Sequence, residues 1–184
     1  MLDTCRSNQS AAAYRVLKVS DLSDPNLRAA LDELLLEYYG VIVRKLSEAG
    51  MVHSYTPEIL MESFWPDVHK VLPPNGQLIV AQDAAGHLVG CGTLHRVRPD
   101  AAEVKRLYVR PEAVGQGLGS AIVREWINSA RGMGLETLLA NVINNNRDPM
   151  GIFERLGFEV IDRYPECADP IEVDPYFIYL NYQL

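Results

Sequence analysis

Glu103 and His95 are the residues whose types suggest proton traffic. The first is a carboxylate on the apolar stretch "AEVKRLYV" (102–109), the second an imidazole on the neighbouring "HLVGCGTLHRV" (87–97). An amine with a reference pKa of ~10.4 is mostly protonated at neutral pH, so a base must free it before it can attack anything. Glu103 is the first candidate for that base; the alternatives are a solvated strand-end carboxylate or an ion pair with Lys105 or Arg106. His95 is the second, since imidazole titrates in the useful range, although a single strand histidine is commonly structural. Downstream, "PEAVGQGLGSAIV" (111–123) places Gly115, Gly117 and Gly119 on alternate positions. Ordering glycine costs more entropy than ordering any other residue, so this junction needs either special dihedrals or a close approach to bare backbone.

The glycines sit between a strand pattern and a helix pattern, which makes a concave set of N–H groups at a helix N-terminus. Such a set, helped by the helix dipole, suits a pyrophosphate. A dinucleotide fingerprint fits poorly: the spacing is G-x-G-x-G, and the next strand, "TLLANVI" (137–143), carries no acid for a ribose. A P-loop fails too, because no Gly-Lys-Ser/Thr follows.

The elements that must position these groups follow from periodicity and punctuation. "YRVLKV" (14–19) reads as an opening strand and residues 1–13 as a flexible N-terminus. Asp24-Pro25 starts a helix to about residue 39; Gly40 interrupts it, and "VIVRKLSEA" resumes at an angle. Thr56-Pro57 starts a second helix to about Phe64, and the proline-rich 65–76 is a loop. "QLIVAQD" (77–83) and 87–97 form a hairpin, 102–109 is the next strand, and Leu118 to Ala130 marks one helix face. Asp148-Pro149 opens a short helix stopped by Gly157, and 158–163 and 175–184 are closing strands. The expected architecture is a single α/β domain over 14–184, with a mixed sheet of seven strands and four helices.

"VKRLYVRPEAVGQGLGSAIV" (104–123) and "NRDPMGIFERLGF" (146–158) together resemble the GNAT N-acetyltransferase superfamily, clearly over 77–184 and loosely before that. The resemblance implies a mixed, mostly antiparallel sheet and acetyl-coenzyme A as co-substrate. It implies a pyrophosphate on the N–H groups of Val114, Gly115, Gln116, Gly117, Leu118, Gly119 and Ser120. It also implies a pantetheine arm along Leu107, Tyr108 and Val109, contacts from Asn146 and Phe153, and a Val109 N–H that polarises the thioester carbonyl. Asn146 has the alternative of a helix-preceding Asx cap. Two departures stand out. Val114 replaces the family's usual Gln or Arg, and Phe153 replaces the tyrosine whose hydroxyl protonates the departing thiolate. Tyr108, Tyr164, Tyr176 and Tyr179 are available for that acid role, and each is equally readable as a packed aromatic.

The implied activity is direct acetyl transfer to a primary amine without a covalent enzyme intermediate. A cofactor-binding sensor that has lost turnover is the alternative. The acceptor groove falls to Tyr38, Tyr39, the stretch from His53 to Trp65, and the loop 164–175. That loop's Glu166, Asp169, Glu172 and Asp174 either attract a cation or are merely solvated. A formal charge of −7 argues against a nucleic-acid partner. The three cysteines have no metal spacing and fit reduced thiols in a cytoplasmic protein, with Cys91 in the core. No metal site and no membrane span are expected. Residues 175–184 read as an edge strand able to support a homodimer.

Overall fold

The computed structural model describes residues 14–184; the expectations for 1–13, and Cys5 among them, lie outside the described residues. Seven strands form one sheet in the order β1-β2-β3-β4-β5-β7-β6. They are β1 (Tyr14–Val19), β2 (Gly76–Asp83), β3 (Leu88–Arg98), β4 (Ala101–Val109), β5 (Thr137–Ile143), β6 (Glu159–Ile161) and β7 (Phe177–Gln183). Every neighbouring pair is antiparallel except β4 with β5. Four α-helices accompany it: α1 (Pro25–Glu48), α2 (Pro57–Glu62), α3 (Leu118–Gly132) and α4 (Arg147–Leu156).

Alternation along the strands sends side chains to two separate cores. On one face α3 lays Leu118, Ile122 and Trp126 over Ile79, Leu94, Val104 and Leu138, joined by Phe153 of α4. On the other, Leu31, Leu34 and Leu35 of α1 cover Leu78, Val80 and Cys91. Beside that layer, the segment from Tyr164 to Cys167 closes over Ala101, Leu139 and Tyr179. Cys91 is fully buried, and burial pushes its thiol up to about 12, consistent with a core residue.

Several expectations are corrected. Gly40 does not break α1, which runs unbroken to Glu48. A helical glycine costs only ~1 kcal/mol, less than the burial of Leu31, Leu34, Leu35 and Leu46 along the same helix stabilises. The stop comes at Gly50, whose φ of 90° a side chain would resist. The stretch 65–76 is not all loop, because Trp65–Val71 winds as a 3-10 helix. Residues 175–184 are not a sheet edge: β7 is inserted between β5 and β6, so the edges are β1 and β6. The expected basis for a homodimer is therefore absent.

Candidate active site

The site begins with a break in the sheet. β4 and β5 pair only from Ala101 opposite Thr137 to Val104 opposite Ala140, and then part. The cause lies in β4. Arg106 has a φ of 59°, and the register against β3 shifts by one residue between Cys91 and Thr93. An extra residue in a left-handed conformation is a β-bulge, which bends the strand away from its neighbour. A non-glycine residue there costs on the order of 1–3 kcal/mol, and Arg106 is held in place from several sides. Its Nε donates to Tyr39 Oη at 2.9 Å, its Nη1 to Thr93 Oγ1 at 3.3 Å, and its guanidinium lies 5.0 Å from the centre of the Phe64 ring.

Beyond the bulge β4 faces open space on its β5 side. The Arg110 N–H donates to Val89 O at 2.8 Å. Strand alternation therefore turns the N–H of Val109, and with it the N–H and C=O of Leu107, towards the split. A cleft of about 810 Å³ opens there, lined by Leu107, Tyr108, Val109, Val114, Gly115, Gly117, Leu118, Gly119, Ser120 and Asn146. Between Val114 and Ser120, Gln116 is the one residue that does not line it.

The glycines have separate causes. Gly115 and Gly117 carry φ values of 85° and 77°, and a Cβ at either would meet nothing within 4 Å. Gly119 is ordinary in backbone, but a Cβ there would stand 2.6 Å from Ile152 Cδ1, so it lets α3 and α4 approach. Gly117 caps α3 without a side-chain hydrogen bond, and the first helical bond runs from Ala121 N to Gly117 O. The N–H groups of Leu118, Gly119 and Ser120 are thus left without helical acceptors, aligned with the positive end of a fifteen-residue helix. Bare, converging donors over open space fit a diphosphate. Arg44, Lys45, Arg147 and Arg155 also line the cleft and add positive potential for phosphates. The sequence reading missed these four; all sit on α1 or α4, where a cation is ordinarily just solvated.

Where the cleft ends, a second cavity of about 200 Å³ begins. It passes beneath Tyr38 and Asn146, which border both, and is walled by Tyr39, Lys105, Arg106, Asn141 and Asp169. Asn146 caps α4 by position, yet its side chain makes no capping bond. Phe153 is buried against Phe158 at 4.7 Å between ring centres, and it contributes a wall of the smaller cavity without a polar atom.

Glu103 and His95 border neither cavity. Glu103 is 1% exposed, so it is no solvated strand-end group. It accepts from Tyr164 Oη at 2.5 Å and pairs with Lys105 Nζ at 3.3 Å, while Arg106 turns the other way. Burial raises the Glu103 carboxyl, partly opposed by the Lys105 charge. His95 Nε2 lies 3.5 Å from Glu103 Oε2. Burial, and then the Lys105 and Arg106 charges, press its pKa to about 4, so the ring is neutral and the contact is no ion pair. This corrects the expectation that His95 titrates near neutrality.

Of the four loop carboxylates, Glu172 is exposed to solvent, but the other three are held by partners. Asp169 receives Lys105 Nζ at 3.1 Å and Asn141 Nδ2 at 2.6 Å. Burial would raise it, but these partners outweigh burial and hold it below the usual carboxylate range. Glu166 pairs with Arg98, and Asp174 with Arg163 and Tyr179. Glu103, Cys167 and Asp169 converge closely enough to suggest a metal, but the Lys105 ammonium lies within 3.3 Å of both carboxylates and supplies the positive charge itself.

A parted β4–β5 pair, a strand edge offering peptide-like hydrogen bonds and a bare helix N-terminus define the acyl-coenzyme A N-acyltransferase class. Residues 30–158 match the acetyltransferase (GNAT) family, and the chain belongs to that family. It is 28% identical over 151 residues to an uncharacterized N-acetyltransferase of Schizosaccharomyces pombe, covering 81% of this chain and 90% of that one. It is 31% identical over 110 residues to the L-methionine sulfoximine/L-methionine sulfone acetyltransferase of Pseudomonas aeruginosa, covering 56% of this chain and 64% of the relative. Among solved structures, a GNAT family acetyltransferase from Elizabethkingia anophelis with acetyl-CoA bound shares the fold at a TM-score of 0.59 and 17% identity, over 95% of this chain and 100% of that one. The protein is an acetyl-CoA-dependent N-acetyltransferase.

Proposed function

We propose that this enzyme acetylates the primary amine of a small acceptor that also carries an acidic group, an amino-acid-like zwitterion. The observation that carries the reading is the pairing of Asp169 with a partly uncommitted Arg106 in one cavity of about 200 Å³. Asp169 receives the acceptor's ammonium. Arg106 spends Nε and Nη1 on Tyr39 and Thr93, which leaves Nη2 for a carboxylate or similar anion. A sulfur-containing amino-acid analogue as the substrate named for the Pseudomonas relative supports the same class.

Acetyl-coenzyme A supplies an activated acetyl group as a thioester. The free N–H groups of Gly115 to Ser120 hold the diphosphate, Leu107 and Val109 bond the pantetheine amides, and the side chain of Asn146 anchors the arm where the cavities meet. The Val109 N–H stabilises the negative charge that develops on the thioester carbonyl oxygen. Glu103 acts behind the wall: with Tyr164 it fixes Lys105, which in turn fixes Asp169. It is a positioning residue, and His95 stays neutral beside it. Proximity of the freed amine to the carbonyl supplies much of the acceleration. We place the reaction in the cytoplasm, in keeping with free thiols at Cys91 and Cys167; no helix among the described residues is long and apolar enough to cross a membrane.

The test is release of free thiol from acetyl-coenzyme A against a panel of amino acids, their decarboxylated amines and their N-methylated forms. Turnover with zwitterions, lost on decarboxylation, is the expected result. Equal turnover with simple amines overturns the acceptor class.

A further inference from the structure

Because Phe153 carries no hydroxyl, the departing thiolate needs another proton donor. We propose that Tyr38, on α1, is that donor, so that the acid of this enzyme sits on the helix covering the cleft and not on α4. The inference rests on the acetyl-transfer reading above.

The four tyrosines suggested by sequence are disposed of by their contacts. The hydroxyls of Tyr108, Tyr164 and Tyr179 donate to Glu37, Glu103 and Asp174, and Tyr176 borders neither cavity. Tyr39 accepts from Arg106 and borders only the smaller cavity. Tyr38 is the one tyrosine bordering both the arm cleft and the acceptor cavity. A bound thioester's sulfur would fall at that junction, because its two sides belong to the arm and to the carbonyl under attack. Tyr39, 5.0 Å away between ring centres, and Tyr108, 6.4 Å away, brace the Tyr38 ring, and its hydroxyl bonds none of the described residues. Burial, then the neighbouring Tyr39, raises its pKa well above the usual phenol range, opposed by Arg106. The group is therefore protonated at every working pH, and a lasting phenolate is unfavourable.

The acceptor enters the step as the neutral amine, its ammonium proton having passed to water, and from there the step balances. The acceptor nitrogen forms the C–N bond, the C–S bond breaks, and its electron pair goes to sulfur. The Tyr38 proton passes to that sulfur while the phenol regains one from the product nitrogen. The net transfer is a single proton from nitrogen to sulfur, with no phenolate left behind.

Three measurements test this on the full-length protein. Tyr38→Phe is expected to lower kcat on the order of 10²-fold with little change in KM for acetyl-coenzyme A. Adding Phe153→Tyr to that variant is expected to recover part of the loss, by setting a hydroxyl on the wall of the smaller cavity that adjoins the junction. Independently of turnover, ultraviolet titration of the thiol of bound coenzyme A is expected to give a pKa about one unit higher in Tyr38→Phe than in wild type, since a phenol hydrogen bond favours the thiolate. Unchanged kcat, or coincident thiol titrations, overturns the proposal. If Tyr38→Phe melts early, the wild-type titration decides alone, and a bound thiol no more acidic than free coenzyme A overturns it. Wild type without turnover on any amine strikes the acetyl-transfer reading instead, while the titration still reports on Tyr38.

Discussion

The two cavities meet at Tyr38 but are built from different materials. The larger is a backbone site: its donors are main-chain N–H groups of the 115–120 loop and of β4, exposed by glycine and by a strand that has lost its neighbour. The smaller is a side-chain site, in which Lys105 and Asn141 hold Asp169 while Arg106 is held by Tyr39 and Thr93. Backbone recognition suits a ligand common to a whole family, since it depends on shape and not on particular residues. Side-chain recognition suits the partner that varies.

That contrast yields separable expectations. Gly117→Val forces a branched residue into a φ of 77° and sets methyl groups where the donors converge. Acetyl-coenzyme A affinity, read by calorimetry, should fall on the order of 10²-fold, with KM for the acceptor little changed. Asp169→Asn should do the reverse, lowering kcat/KM for the acceptor about 30-fold while the coenzyme's Kd holds. A parallel loss of coenzyme binding in that variant would erase the division between the sites. Behind the acceptor cavity, His95 makes the whole fold acid-sensitive. His95 has a folded pKa of about 4 against 6.5 unfolded, so the folded chain binds fewer protons between those values. Stability is thus full above pH 6.5 and drains as pH falls towards 4, by about 1–2 kcal/mol once its partial exposure is discounted. Denaturant melts at stepped pH should show this slope, and His95→Gln should flatten it. Smallest of all, Arg155→Gln should weaken coenzyme binding about threefold at low salt and less at high salt, as a half-solvated charge does.

The same contrast explains what could be read in the sequence. The glycine loop was legible because its residue types alone create bare donors, and the strand-loop-helix order places them. Asp169 was only one of four loop acids, because its contact with Lys105 joins residues 64 positions apart and no spacing rule reaches that far. Tyr38 was legible only as acceptor-groove lining, since bordering two cavities is a property of the assembled layers. The place of β7 was misread because the last segment in sequence is easily taken for the last in space. β7 instead pairs with β5 through seven residues, whereas β6 offers only three. α1 was broken too early because a local helix penalty was weighed without the burial that offsets it.

The bulge at Arg106 also changes the parity of β4. Strict alternation would send Lys105 and Arg106 to opposite faces of the sheet, yet Lys105 reaches Asp169 while Arg106 reaches Tyr39 of α1. One surplus residue therefore turns two consecutive cations towards the same chamber, and beyond it hands Leu107 and Val109 to the other layer. Excising a single residue from 105–107 would put the strand back in step. It would zip β4 onto β5, close the entrance for the thioester arm, and leave only one of the two positive charges facing the acceptor.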